Sequence, residues 1–177
     1  MKGRVKVAVA GALVTAASVA GAVAFAGGGP SFNERLTGYQ EDPLVVSTTG
    51  SGEFHAELDA KGEEISYQLS YAGLEGGPVT QAHIHLGGRH QSGGIIAYLC
   101  SNLDNPPPGT QACPAAPATI SGTIGPADVV GPVGQGIAAG EFSELARAMR
   151  VGVTYANVHS TTYPGGEIRA QLTRRKH

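Results

Sequence analysis

Residues 53–71 read EFHAELDAKGEEISYQLSY, and their alternation decides the fold class. Phe54, Ala56 and Leu58 alternate with Glu53, His55, Glu57 and Asp59. Ile65, Tyr67, Leu69 and Tyr71 alternate in turn with Ser66, Gln68 and Ser70. Successive side chains of a strand point to opposite faces, so each run predicts a strand with one buried face. Lys61-Gly62 supplies a turn between the two runs, which makes them a hairpin.

The same pattern continues outward from this hairpin. Val79 to Leu86, Gly94 to Cys100 and Ala118 to Ile124 are strand-like runs bounded by Gly or Pro clusters. Val151 to His159 and Glu167 to Thr173 flank Tyr163-Pro164-Gly165-Gly166, a second hairpin signal. Glu141 to Arg150 differs, because Phe142, Leu145, Ala146 and Met149 form one apolar stripe at helical spacing. A short helix covering one end of the domain is expected there. The expected fold is all-β: an antiparallel, Greek-key-like sandwich or barrel with one short helix. It spans residues 31–173, after a short flexible start at 27–30 and before a polar tail at 174–177.

Composition narrows the class further. A chain of 177 residues, 41% of them hydrophobic, has the length of one domain and enough apolar residues for a core. Its 27 Gly and 11 Pro are too many for a helical bundle. Lys and Arg number 12 against 14 Asp and Glu, which leaves no basic surplus to neutralise phosphates and excludes a nucleic-acid partner. Lys2, Arg4 and Lys6, the uncharged run Val7 to Ala24 and the small-residue site Ala24-Phe25-Ala26 form a secretory signal peptide over residues 1–26. Its cleavage leaves nine basic against 14 acidic residues, a net charge of −5 that offers no attraction to anionic lipid. The remaining chain is expected to be secreted, extracellular or in the cell envelope, with no membrane attachment after cleavage.

Cys100 and Cys113 form an even pair in an exported chain, which reads as a disulfide. The segment between them, SNLDNPPPGTQA, contains Pro106-Pro107-Pro108-Gly109 and cannot form a regular element. Closing this loop of about 14 residues is worth about 3 kcal/mol.

Histidines carry the strongest chemical signal. His83 and His85 lie two residues apart in a strand, so their imidazoles share one face while Ala82, Ile84 and Leu86 share the other. His159 ends a later strand on the face of Tyr155 and Asn157. If the two strands are neighbours, three ring nitrogens could hold Zn or Cu, since imidazole suits both metals. The competing reading has these rings donate to backbone carbonyls or pair with carboxylates. Arg169, between Glu167 and Gln171, has the chemistry to hold a carboxylate or phosphate, or to pair across strands. Asn157 and Glu167 are candidates for the same ligand-binding or structural role. His55, between Glu53 and Glu57, reads as solvated, and His90 lies in a Gly-rich loop. Patterns for a nucleophilic serine, a phosphate loop or a zinc protease helix are absent from the sequence.

Ala82-His83-Ile84-His85, followed by a Gly-rich loop and Gly94-Ile95-Ile96-Ala97-Tyr98-Leu99, resembles the central motif of the chordin-type CHRD domain. Phe142-Ser143-Glu144-Leu145, Tyr155-Ala156-Asn157-Val158-His159 and Pro164 to Leu172 resemble that family's closing helix, strand and hairpin. Leu36-Thr37-Gly38 and the hairpin of residues 53–71 fit as well, so the resemblance covers nearly all of the exported chain. The segment from Cys100 to Pro117 departs from it as an insert.

The resemblance implies an extracellular domain. The animal protein that gives the family its name is a secreted antagonist that binds growth factors, and bacterial members stand alone behind a signal peptide. It therefore implies a secreted binding or structural module holding a protein or a cell-envelope polymer, with no catalytic residues to carry over. Two alternatives stand beside it. One is a metal-binding protein using His83, His85 and His159. The other is an enzyme similar to copper–zinc superoxide dismutase, by analogy of fold, histidines and disulfide. A dismutase-like site needs a second histidine and aspartate set for zinc, and the sequence has no clear candidates for one.

Overall fold

A computed structural model describes residues 28–174, so the expected leader at 1–26 and the tail residues 175–177 lie outside the described residues. The chain folds into strands β1 (Ser31–Thr37), β2 (Ser51–Leu58), β3 (Ile65–Ala72), β4 (Val79–Leu86), β5 (Ile95–Ser101) and β6 (Ala118–Ile124). Helix α1 (Phe142–Val151) and strands β7 (Thr154–Ser160) and β8 (Ile168–Leu172) follow. One eight-stranded antiparallel sheet runs in the order β5-β4-β7-β8-β1-β2-β3-β6. It curls until its two edges nearly meet, giving an almost closed barrel. Across that seam, the connections from β3 to β4 and from β6 to β7 each pass over two strands, the Greek-key feature expected.

The quoted hairpin forms as its alternation predicts. Phe54, Ala56 and Leu58 of β2, and Ile65, Leu69 and Tyr71 of β3, point into the barrel. The turn between them is fastened by Asp59, whose Oδ1 accepts from the backbone of Glu63 at 2.6 Å and Glu64 at 3.0 Å. Gly62 takes the left-handed conformation there (φ +76°), which a side chain would strain. Ile84 of β4, Ile96 of β5, Ile124 of β6 and Leu172 of β8 complete the core. Fully burying one such side chain is worth about 2 kcal/mol.

The seam is closed by side chains and loops rather than by a ladder. Tyr67 Oη donates to Leu99 O at 2.9 Å. The free edge of β5 donates at one point and accepts at another: Ser101 N–H donates to Gln111 O at 2.9 Å, and Ile96 O accepts from Val130 N–H at 2.8 Å. The Cys100–Cys113 disulfide ties the Pro-rich insert to the same edge. An edge so covered offers no template for pairing with another chain.

Several boundaries differ from the sequence reading. Val151 ends the helix instead of opening β7, because Gly152 adopts the left-handed cap (φ +76°) and donates back to Met149 O at 3.1 Å. The apolar stripe of α1 joins the core through Phe142, Leu145, Ala146 and Met149. Strand β1 escaped the alternation test. Phe32 and Leu36 point inward, but Glu34 occupies the position between them, where its carboxylate accepts from Thr173.

Candidate metal centre

The outward face of β5-β4-β7-β8 is polar yet buried. All seven residues of β7 and all five of β8 are buried, because loops lie over the face that alternation would assign to solvent. Ala82 and Ile84 of β4 fill the barrel, and so do Ala156 and Val158 of β7 and Ile168 and Ala170 of β8. On the covered side, β4 places His83 opposite Asn157 and His85 opposite Tyr155. His159 sits one pair further along, opposite Gln81, and so lies diagonally from His83. The three histidines are brought together: one ring nitrogen from each lies within 4.8 Å of the others.

Hydrogen bonds fix the tautomers. His85 Nδ1 is 2.9 Å from Gly93 O, and His159 Nδ1 is 2.9 Å from Pro164 O. Carbonyls only accept, so both Nδ1 atoms carry protons and both Nε2 atoms present lone pairs. His83 Nδ1 is 3.1 Å from His159 Nε2 and must be the donor of that bond. His83 Nε2 and His85 Nε2 are then buried lone pairs with no hydrogen-bond partner. Leaving such acceptors unsatisfied costs free energy, which a cation or a donor would recover.

The rings are held neutral. His83, His85 and His159 are 2%, 8% and 8% exposed. Burial is the main reason their pKa values fall, to about 2 for His83 and about 4 for His85, with His159 also lowered. Mutual repulsion adds to the shift of the first two. Neutral imidazole is the form that binds metals. The backbone carbonyls of Gly93 and Pro164 orient the rings from behind, as partners of metal-bound histidines commonly do.

Aromatic and charged neighbours complete the surroundings. Tyr98 meets the His83 ring edge-on at 4.6 Å, and Tyr155 stacks on His85 at 4.8 Å with 3° between the planes. Arg169 is 2% exposed, and its guanidinium carbon lies 3.5 Å from the Tyr155 centroid. It donates to Gly88 O at 3.1 Å and Gln91 O at 2.9 Å, so it holds the 87–93 loop over the site. Glu167, wholly buried, accepts from the backbone of Glu75 at 2.6 Å and Gly76 at 3.1 Å. Asn157 Nδ2 donates to Glu41 at 3.2 Å, and burial pushes the Glu41 carboxyl up to about 8. Asn157, Glu167 and Arg169 thus lie in the layer around the histidines. His55 stands apart on the opposite side of the barrel, 2.5 Å from Asn33 Oδ1.

The donor set fits a metal. An ion bound at about 2.1 Å would hold its nitrogen ligands within about 4.2 Å of one another. At tetrahedral angles the spacing is about 3.4 Å, so a pair 4.8 Å apart would close by about 1.4 Å. His85 and His159 would offer Nε2, and His83 whichever nitrogen faces them, its proton moving to the other. No second group of three such side chains comes together among the described residues. Glu41 and Gln171 were missed by the sequence reading. Glu41 lies in a loop whose burial depends on tertiary packing. Gln171 shows a signal in hindsight: it continues the polar face of Arg169 and donates to Gly87 O, Gly152 O and Thr154 O.

A family model described as the CHRD domain matches residues 32–172. Neither the curated proteins nor the solved structures hold a significant match to the chain.

Proposed function

The chain belongs to the CHRD domain family, and we propose that it works outside the cytoplasm as a binding module whose ligand is a copper or zinc ion held by His83, His85 and His159. The observation that carries this reading is the gathering of one ring nitrogen from each of His83, His85 and His159 within 4.8 Å of one another, with the Nε2 atoms of His83 and His85 buried and without a hydrogen-bond partner. Three neutral imidazoles whose orientations are set from behind are the usual makings of a nitrogen site. When bound, the metal would supply a Lewis-acid or redox centre with three protein ligands. Export is supported by the leader pattern of residues 1–26 and by the Cys100–Cys113 disulfide, which belongs to an oxidising compartment.

Equilibrium dialysis of the purified protein against Zn or Cu, followed by elemental analysis, tests the reading. One equivalent of metal is expected, lost in the His83→Ala, His85→Ala variant. Absence of metal from the wild type in both dialyses contradicts it.

A second reading concerns a larger partner. The opposite face of the barrel, on β1-β2-β3-β6, is uncovered and polar, with a groove of about 740 Å³ lined by Arg35, Glu53, Ser70 and Thr119. A protein or cell-envelope polymer would be held there. Retention on an envelope fraction, weakened by Arg35→Ala with Glu53→Ala, is expected. Failure to bind any envelope fraction counts against it.

A further inference from the structure

The charge of the ion follows from what surrounds the three histidines. Neutral imidazoles bring no negative charge, and among the described residues no carboxylate or thiolate joins their group. The carboxylates of the same layer are committed elsewhere. Both oxygens of Glu167 are taken by the amides of Glu75 and Gly76. Glu41 accepts from Asn157, and with its pKa at about 8 it carries its proton at neutral pH. Asp42 accepts from the Ser92 hydroxyl at 3.0 Å, on the exposed side. The nearby full charge is positive: Arg169, buried against Tyr155 and two carbonyls.

Burying an ion costs free energy that grows with the square of its charge, so a divalent ion meets about four times the penalty of a monovalent one. A divalent ion would have to bring an anion with it. A monovalent one needs none. Resting on the metal reading above, we infer that this site takes monovalent copper in preference to divalent zinc or copper.

The test is an anaerobic competition titration of the purified protein. Cu(I), Cu(II) and Zn(II) are each titrated against a chromophoric chelator of known affinity. The wild type, the His83→Ala, His85→Ala variant and Asn157→Asp are compared. Cu(I) is expected to bind at least about a hundredfold more tightly than Zn(II), and to be released by the double substitution. Asn157→Asp places a carboxylate opposite His83 and should narrow that gap about tenfold or more. Zn(II) or Cu(II) bound as tightly as Cu(I), with the same dependence on His83 and His85, overturns the preference and leaves the metal site standing. No histidine-dependent binding of any ion overturns both. A folded Asn157→Asp protein with an unchanged gap removes charge as the cause; should that variant not fold, the wild-type ratio alone decides.

Discussion

His83 Nδ1 lies 3.1 Å from His159 Nε2, although 76 residues separate the two in the chain. Pairing of β4 with β7 makes this contact, and it joins the strand of the His83-Ile84-His85 motif to the strand that closes the family signature. Because Pro164 O holds the far proton of His159, the bond between the rings can run only from His83 to His159. One bond therefore sets two tautomers, and a third is set by Gly93.

Stability of the metal-free protein should peak near pH 6.5. The unfolded chain protonates its histidines around 6.5, whereas the folded chain does so well below, at about 4 for His85 and about 2 for His83. As pH falls below 6.5 the unfolded state takes up protons first, so stability falls. Glu41 acts in the opposite sense: its folded pKa is raised from 4.5 to about 8, and stability is lost as pH rises across that interval. With each group worth about 1.4 kcal/mol per pH unit, His83 and His85 against Glu41 give a net acid slope of about 1.4 kcal/mol per unit, and His159 adds in the same direction. Urea denaturation from pH 5 to 8 measures both limbs. Glu41→Gln should flatten the alkaline one, and a profile that rises toward pH 5 would contradict the buried neutral histidines.

Arg169 should act as the latch of the 87–93 loop. Arg169→Met removes the donors to Gly88 O and Gln91 O and the cation over Tyr155. A loss of about 3 kcal/mol is expected, with faster amide exchange concentrated in residues 87–93. Arg169→Lys should recover only part of it, since an ammonium can replace the single Nη2 that donates to both carbonyls but not the guanidinium plane over Tyr155. Unchanged exchange in that loop would assign Arg169 no such role.

The disulfide and the histidine layer should separate cleanly. Cys100→Ser with Cys113→Ser should cost about 3 kcal/mol through the freed loop. Metal stoichiometry should stay the same, because none of the three histidines is held by the insert. Denaturation and elemental analysis of the same sample check both halves. Loss of metal together with the disulfide would tie the site to the insert.

How much of this was legible depended on which faces meet water. Strands β2 and β3 have one solvent-facing side, so Phe54 and Leu69 stand out against Glu53 and Gln68. In β8 the alternation of Ile168, Ala170 and Leu172 with Arg169 and Gln171 is equally plain in the sequence. Its polar side, however, is buried under loops, which composition does not reveal. Strand β1 gave no signal because Glu34 breaks its apolar row. The pairing of His83 with His85 follows from their spacing. Their meeting with His159 requires a tertiary contact, and the burial of Glu41 requires a loop to fold onto the sheet.

The most direct measurement is an anomalous-difference map from a crystal of the copper-loaded protein. A single peak bonded at about 2.0–2.1 Å to one ring nitrogen each of His83, His85 and His159 is predicted. A peak held by other residues, or none at these three, would contradict the central claim.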